Sequence, residues 1–188
     1  MANDCWNKVI IKGDETTLKK IEEKFNSSEN GVFSMNNYQS LFDSDVSDMV
    51  EDDFGSKRFA PSVTMEDGEL HISGDSAWSP MIGLFERICV DYGVEAELEY
   101  DEMGYDFAGL VIWDSKGVEI DREEWTYWER LCMKDQDNFW EEMQFRYEIY
   151  EEFDELVSDF KLDNWVDVSI LDMDRLRVGF EEYLESNS

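Results

Sequence analysis

Val94-Glu95-Ala96-Glu97-Leu98-Glu99-Tyr100 alternates without a break: Val94, Ala96, Leu98 and Tyr100 fall on one side, Glu95, Glu97 and Glu99 on the other. Successive side chains of a strand point to opposite faces, so this heptapeptide predicts a strand with one buried and one wet face. One-sided strands belong to antiparallel sheets that cover a single face. Downstream, Met103-Gly104 turns the chain. Phe107–Trp113 is almost continuously apolar and reads as a central strand, and Asp114-Ser115-Lys116-Gly117 closes a hairpin onto Val118–Ile120. Upstream, Ser79-Pro80 opens a helix with an apolar face of Ile82, Phe85, Cys89 and Tyr92, ended by Gly93. Phe59–Thr64 and Glu69–Ser73 read as strands about a Glu66-Asp67-Gly68 turn.

The N-terminal part follows the same logic. Asn7–Lys12 is a first strand stopped by Gly13-Asp14. Asp14 or Thr16 caps a helix bearing Leu18, Ile21 and Phe25, and Asn30-Gly31 is a turn signal. From Asp43 to Asp53 the acids cluster and periodicity is lost, which predicts a surface loop or a short polar helix. The order strand, helix, strands, helix, strands is α+β and fits a ferredoxin-like sandwich over residues 1–120. Residues 121–188 predict a mostly helical extension packed on it. Trp125, Trp128 and Cys132 come first, then a stripe of Phe139, Met143, Tyr150, Phe153, Val157 and Phe160. Val166–Ile170 reads as a short strand, and Asp172 caps a last helix with Leu176, Phe180 and Leu184.

Composition bounds the function. The chain has 188 residues with 47 acids against 16 Lys and Arg, a net charge of −31. High charge with few aromatics signals disorder, but seven Trp, eight Tyr and twelve Phe supply core material. A folded domain with an acidic surface is therefore expected. Such a surface repels nucleic acid and anionic membrane and attracts basic protein surfaces. No apolar run approaches the roughly 18 residues of a membrane span, and the Met1–Trp6 segment has no basic or apolar leader pattern. Cys5, Cys89 and Cys132 are odd in number and far apart, which points to a reducing cytoplasm rather than a disulfide framework.

No constellation declares itself catalytic. Asp43, Asp45, Asp48, Glu51, Asp52 and Asp53 invite a calcium-loop reading, but the sixth and twelfth positions from Asp43 hold Asp48 and Phe54 where Gly and Glu are needed. A nuclease-type site from Asp114, Lys116 and Glu119 is better explained as a hairpin turn. Cys89 and Cys132 lie on apolar helix stripes and read as core. His71, the one histidine, sits in a strand and leaves a His-based zinc site or Ser-His triad hard to build. Trp78 is either a ligand anchor or a packing residue where strand meets helix, and packing is the more common case. No cofactor or metal is expected.

Three segments resemble the YubB-type family of plasmid and phage proteins: Cys5-Trp6-Asn7 with Ile10-Ile11-Lys12-Gly13, then Asp75-Ser76-Ala77-Trp78-Ser79-Pro80, then Leu98–Gly104 with Phe107-Ala108-Gly109. Phe54-Gly55-Ser56-Lys57 is similar to a degraded form of the family's Trp-Gly-Thr-Lys. Met81 stands where the family repeats Pro. The resemblance covers residues 1–120. It implies a ferredoxin-like domain and a mobile-element origin, and it carries no catalytic residues.

The acid is patterned in two places. Glu95, Glu97 and Glu99 repeat at about 6.8 Å, twice the strand rise. Glu141, Glu148, Glu152, Glu155 and Asp159 share one helix face, the last four at about 5–6 Å of rise. Like charges so placed destabilise their own element by a few tenths of a kcal/mol per pair. The ordinary explanation is a solvated face that aids solubility. The chain-wide imbalance, and the advantage a mobile element gains by blocking host defences, favour a non-enzymatic DNA mimic. It would bind a basic host protein, a nucleic-acid-binding defence or restriction component, in the bacterial cytoplasm. The expected partner-binding residues are Glu141, Glu148, Glu152, Glu155 and Asp159, then Asp43, Asp45, Asp48, Glu51, Asp52 and Asp53. An accessory or assembly module docking through the C-terminal aromatic helices is the second reading, and an enzyme with a carboxylate-held metal is the third.

Overall fold

A computed structural model of the chain describes residues 3–28, 31–34, 37–49, 51–127, 130, 153–155, 158 and 173–187. It divides into two compact units, Met1–Glu124 and Trp125–Ser188. The first unit runs β1 (Asp4–Lys12), α1 (Glu15–Asn26), β2 (Phe33–Ser34), a 3-10 turn (Tyr38–Leu41), α2 (Glu51–Phe54), β3 (Arg58–Glu66), β4 (Glu69–Ala77), α3 (Ile82–Tyr92), β5 (Glu95–Glu102) and β6 (Phe107–Trp113). β7 (Glu119–Trp125) follows as the far edge of the sheet.

The sheet order is β2-β3-β4-β1-β5-β6-β7. Its middle, β3-β4-β1-β5, is antiparallel throughout. With α1 and α3 as the two connections, this is the split βαβ arrangement of a ferredoxin-like sandwich. Thus β1 is the central strand. β6, read from its apolar run as central, lies one strand from the edge. Gly109, Val111 and Trp113 belong to its core side, while Leu110 and Ile112 are half-buried on the other face. Apolarity on both faces mimicked full burial.

The core lies on one face. Val63, Ile72, Val9, Leu98 and Val111 line up across five strands, as do Met65, Leu70, Ile11, Ala96 and Trp113. α1 lays Leu18, Ile21 and Phe25 against this face, and α3 lays Leu84, Phe85, Ile88 and Cys89. Phe25 meets Phe33 edge-on at 5.5 Å between ring centroids, and Phe59 meets Phe85 at 6.0 Å. Such aromatic pairs add roughly 0.5–1.5 kcal/mol beyond burial. The α3 face is broader than the expected stripe, because Leu84 and Ile88 are buried while Ile82 and Tyr92 lie at its margins.

Local signals set the ends. Asp14 caps α1 by accepting the Thr17 N–H at 3.0 Å. Asp67 and Gly68 both have positive φ, 50° and 84°, the combination a two-residue hairpin turn needs. β3 and β4 outrun the expected strands, because Ser73–Ser76 lacks strand propensity yet pairs on both sides. β7 continues through Glu123–Trp125, where a helix start was expected. An edge strand exposed on both faces shows no alternation to read.

In the second unit α4 (Met173–Asn187) is a helix. Its Phe180 is buried with its ring 5.9 Å from that of Phe153, and the Arg177 guanidinium lies 4.4 Å from the Phe153 centroid. The rest of the expected aromatic stripe and the Val166–Ile170 strand fall outside the described residues.

Candidate functional site

Asp43 does not stand free. It pairs with Lys20 and, at 3.2 Å, with Lys24, and hydrogen bonds from these ammonium groups hold its carboxyl below the usual range. Asp45 caps its own turn by accepting the Ser47 N–H at 2.9 Å. Asp48 is exposed; Glu51, Asp52 and Asp53 lie in α2, where Asp53 is exposed. The cluster is therefore partly a structural clasp between this loop and α1. Glu155 is exposed in the 153–155 helical stretch. Glu141, Glu148, Glu152 and Asp159 lie outside the described residues.

The strand row is also answered. On the face away from the helices, Lys12 neighbours Glu95, Ile10 neighbours Glu97 and Lys8 neighbours Glu99. Two lysines of the central strand thus sit beside two of the three glutamates, a relief that spacing along β5 alone does not reveal. Asp114 accepts the N–H groups of Lys116 and Val118, and Glu119 holds Arg122, so this trio is hairpin chemistry. Among the described residues no group of three or more His, Cys, Asp or Glu is placed to hold a metal ion.

The most tightly specified surface lies elsewhere, where β4 runs into α3. Trp78 has φ 75°, a left-handed backbone that a bulky residue adopts at a cost of about 1–3 kcal/mol. It is 40 % exposed, not packed inside where strand meets helix. Its ring lies 6.4 Å from that of Tyr105, which is 64 % exposed on the β5–β6 turn.

A polar lattice holds this conformation. Asn7 is fully buried on β1; its amide donates to the Cys5 carbonyl and Ser76 Oγ, both at 2.8 Å, and its Oδ1 accepts the Met81 N–H at 2.9 Å. Ser76 donates to the Ser79 carbonyl at 2.6 Å, and Ser56 donates to the Ala77 carbonyl at 2.7 Å. The Ser79 hydroxyl donates to the Gly55 carbonyl, and the Trp78 N–H donates to the Asn3 carbonyl at 3.0 Å. Gly55 is required, since a Cβ there would sit 2.2 Å from the Pro80 carbonyl oxygen. On the other loop, buried Glu102 accepts the N–H groups of Gly104 and Tyr105 and so fixes the Tyr105 turn. Neighbouring Cys5 is sealed, its thiol pushed up to about 12 by burial.

Residues 59–151 match the family model of the ferredoxin-like domain in Api92-like protein. The match starts at the second residue of β3. It takes in Asp75–Pro80 and Leu98–Gly109, but not β1, the strand that carries Asn7. Neither a curated protein nor a solved structure matches the chain. Asn7 lies in the Cys5-Trp6-Asn7 segment and accepts the N–H of Met81, just past Ala77-Trp78-Ser79-Pro80 and 74 residues away; its residue type alone does not signal that role.

Proposed function

We propose that the chain is a non-enzymatic protein of phage or plasmid origin. It occupies the basic surface of a nucleic-acid-binding host protein in place of DNA, in the bacterial cytoplasm, and so blocks a defence or restriction step. The observation that carries this reading is where the acid lies. The chain carries net charge −31, and among the described residues Glu102 and Arg130 are the only charged groups that are buried. Maintaining that surface costs self-repulsion, which a partner rich in Lys and Arg relieves. Burial of Phe153 against Phe180 uses part of the C-terminal aromatic stripe internally, which weighs against that stripe as the docking face.

The test is displacement. A partner captured from bacterial lysate is loaded with labelled duplex DNA, and the chain is titrated in over a range of salt. Displacement that weakens steeply with salt supports the proposal. Replacing Glu148, Glu152 and Glu155 by Lys is expected to weaken it more than reversing three scattered acids does. Failure to displace DNA at any salt refutes it, and equal losses from the two sets reduce it to bulk charge.

A further inference from the structure

The open face of a one-sided antiparallel sheet is ordinarily polar. Here β6 sets Ala108, Leu110 and Ile112 on that face, although it is not a central strand. α1 and α3 pack on the opposite face, so neither of these helices covers the three side chains. Register ties this apolar line to the acidic one. Glu97 on β5 has Ile10 of β1 directly on one side and Ile112 of β6 directly on the other, and all three are half-buried. Glu97 differs in this from its neighbours along the strand. Glu95 has Lys12 in register and Glu99 has Lys8, whereas no lysine is in register with Glu97. Lys12, its diagonal neighbour, is engaged by Glu69 at 3.6 Å. A carboxylate set between two aliphatic side chains is less screened than one surrounded by water, so a cation that reaches it gains more.

The spacing narrows what fits. Adjacent strands lie about 4.8 Å apart, so Ile10 and Ile112 stand about 10 Å apart with the carboxylate midway. On a helix, positions i and i+7 are about 10.5 Å apart along the axis and share one face with i+4. An extended segment repeats a face every ~6.8 Å and misses that distance. A second copy of this chain is repelled, because each carries a net charge of −31. The complement is a helix with two aliphatic side chains and a basic one between them.

We propose that the open face of the sheet receives an amphipathic helix of the basic partner, laid across β1, β5 and β6. Its aliphatic side chains meet Ile10 and Ile112, and a Lys or Arg between them meets Glu97. This rests on the acidic-surface reading above and names the segment of the partner that docks.

The probe is a helical peptide with Leu at i and i+7, Arg at i+4, and Ala and Gln elsewhere. Two companions replace the Arg by Gln, or both Leu by Gln. Each is titrated into the full chain and followed by backbone amide NMR, which reads weak binding as well as its location. The Arg peptide is expected to bind about fivefold more tightly than its Gln companion, as a partly exposed ion pair allows. The peptide without Leu should lose most of its binding, and shifts should centre on Ile10, Glu97 and Ile112. Glu97→Gln is expected to abolish the preference for Arg, and Glu95→Gln, at an exposed residue with Lys12 in register, to leave it. Shifts centred elsewhere, equal binding of the Arg and Gln peptides, or an unchanged preference in Glu97→Gln overturn the docking face. Equal losses from Glu97→Gln and Glu95→Gln do so too, and leave the acidic-surface reading standing as bulk charge. Absence of binding by the Arg peptide also overturns the docking face, while DNA displacement decides the acidic-surface reading separately. The three peptides are compared on the unaltered chain, so the outcome does not depend on how Glu97→Gln folds.

Discussion

Asn7→Ala tests whether the Ala77–Met81 loop is held from β1. The substitution strips the Met81 N–H of its acceptor at a buried site, and an unsatisfied buried donor costs about 1–3 kcal/mol. It also removes the amide bonds to the Cys5 carbonyl and Ser76 Oγ, at about 1 kcal/mol net for a typical bond. These acceptors keep other partners, since Ser76 still donates to Ser79, so the sum is taken as about 3 kcal/mol rather than the upper limit. An unfolding entropy of about 2.1 cal/mol/K per residue over Met1–Glu124 gives about 0.26 kcal/mol/K, so the melting temperature should fall by ~12 °C. Asn7→Asp should be worse at neutral pH. It keeps an acceptor for Met81, but it turns a carboxylate toward the Cys5 and Gly74 carbonyls and buries a charge. Circular dichroism melts of both variants check this. A fall below about 4 °C for Asn7→Ala, corresponding to ~1 kcal/mol, would refute the claim that this side chain holds the loop.

Gly83→Ala should destabilise by about 1–3 kcal/mol or more, because its Cβ would lie 1.8 Å from the Asp53 carbonyl oxygen, a backbone atom that moves only if α2 shifts from α3; urea unfolding measures it. On acidification the carboxylates of Asp14, held low by the Thr17 hydroxyl and N–H, and Asp43, held low by Lys20 and Lys24, must take protons. A depressed native pKa gives stability that is full above the ordinary Asp value near 4 and is lost as pH falls through the native one, whereas relief of self-repulsion acts oppositely. The decisive quantity is a difference: wild type should lose more stability than Asp43→Asn between about pH 5 and 3, and identical pH profiles would sink the ion-pair argument. In a Cys132→Ser variant, Cys5 and Cys89, both buried with thiols pushed up to about 12, should resist a disulfide reagent until the protein unfolds. Rapid labelling of the native variant would contradict their burial.

The ferredoxin-like frame was legible because its signals are local. Alternation on β5, the Asp14 cap, the Asp67-Gly68 turn and Gly93 after α3 each act within a few residues, and each is where the periodicity placed it. Legibility failed where the information is non-local. β7 has no alternation because neither face is buried, and β6 is apolar on both faces without being central. The weak propensity of Ser73–Ser76 is overridden by partners on two sides. The Trp78 conformation was half legible. Its segment stood out as a motif, but exposure and a left-handed φ emerge only once Asn7, Ser56 and Glu102 converge from distant strands and loops.

The same non-locality changes what the acidic surface can do. Spacing along β5 makes Glu95, Glu97 and Glu99 resemble a row of phosphates, yet register on β1 sets Lys12 and Lys8 beside two of them. A row interleaved with ammonium groups is a poor decoy for a site built of Lys and Arg, because those lysines repel the partner at the distance where the carboxylates attract it. Asp43 is likewise committed to α1. β7 has Glu119, Asp121, Glu123 and Glu124 exposed with Arg122 among them, and it lies on the open edge of the sheet. Like charges along an edge also disfavour pairing with another copy. Acid on this sheet therefore has structural work to do before any partner arrives. Total charge is for that reason a weak guide to which carboxylates a basic partner would meet. Strand register, rather than spacing along one strand, decides which carboxylates meet a positive neighbour.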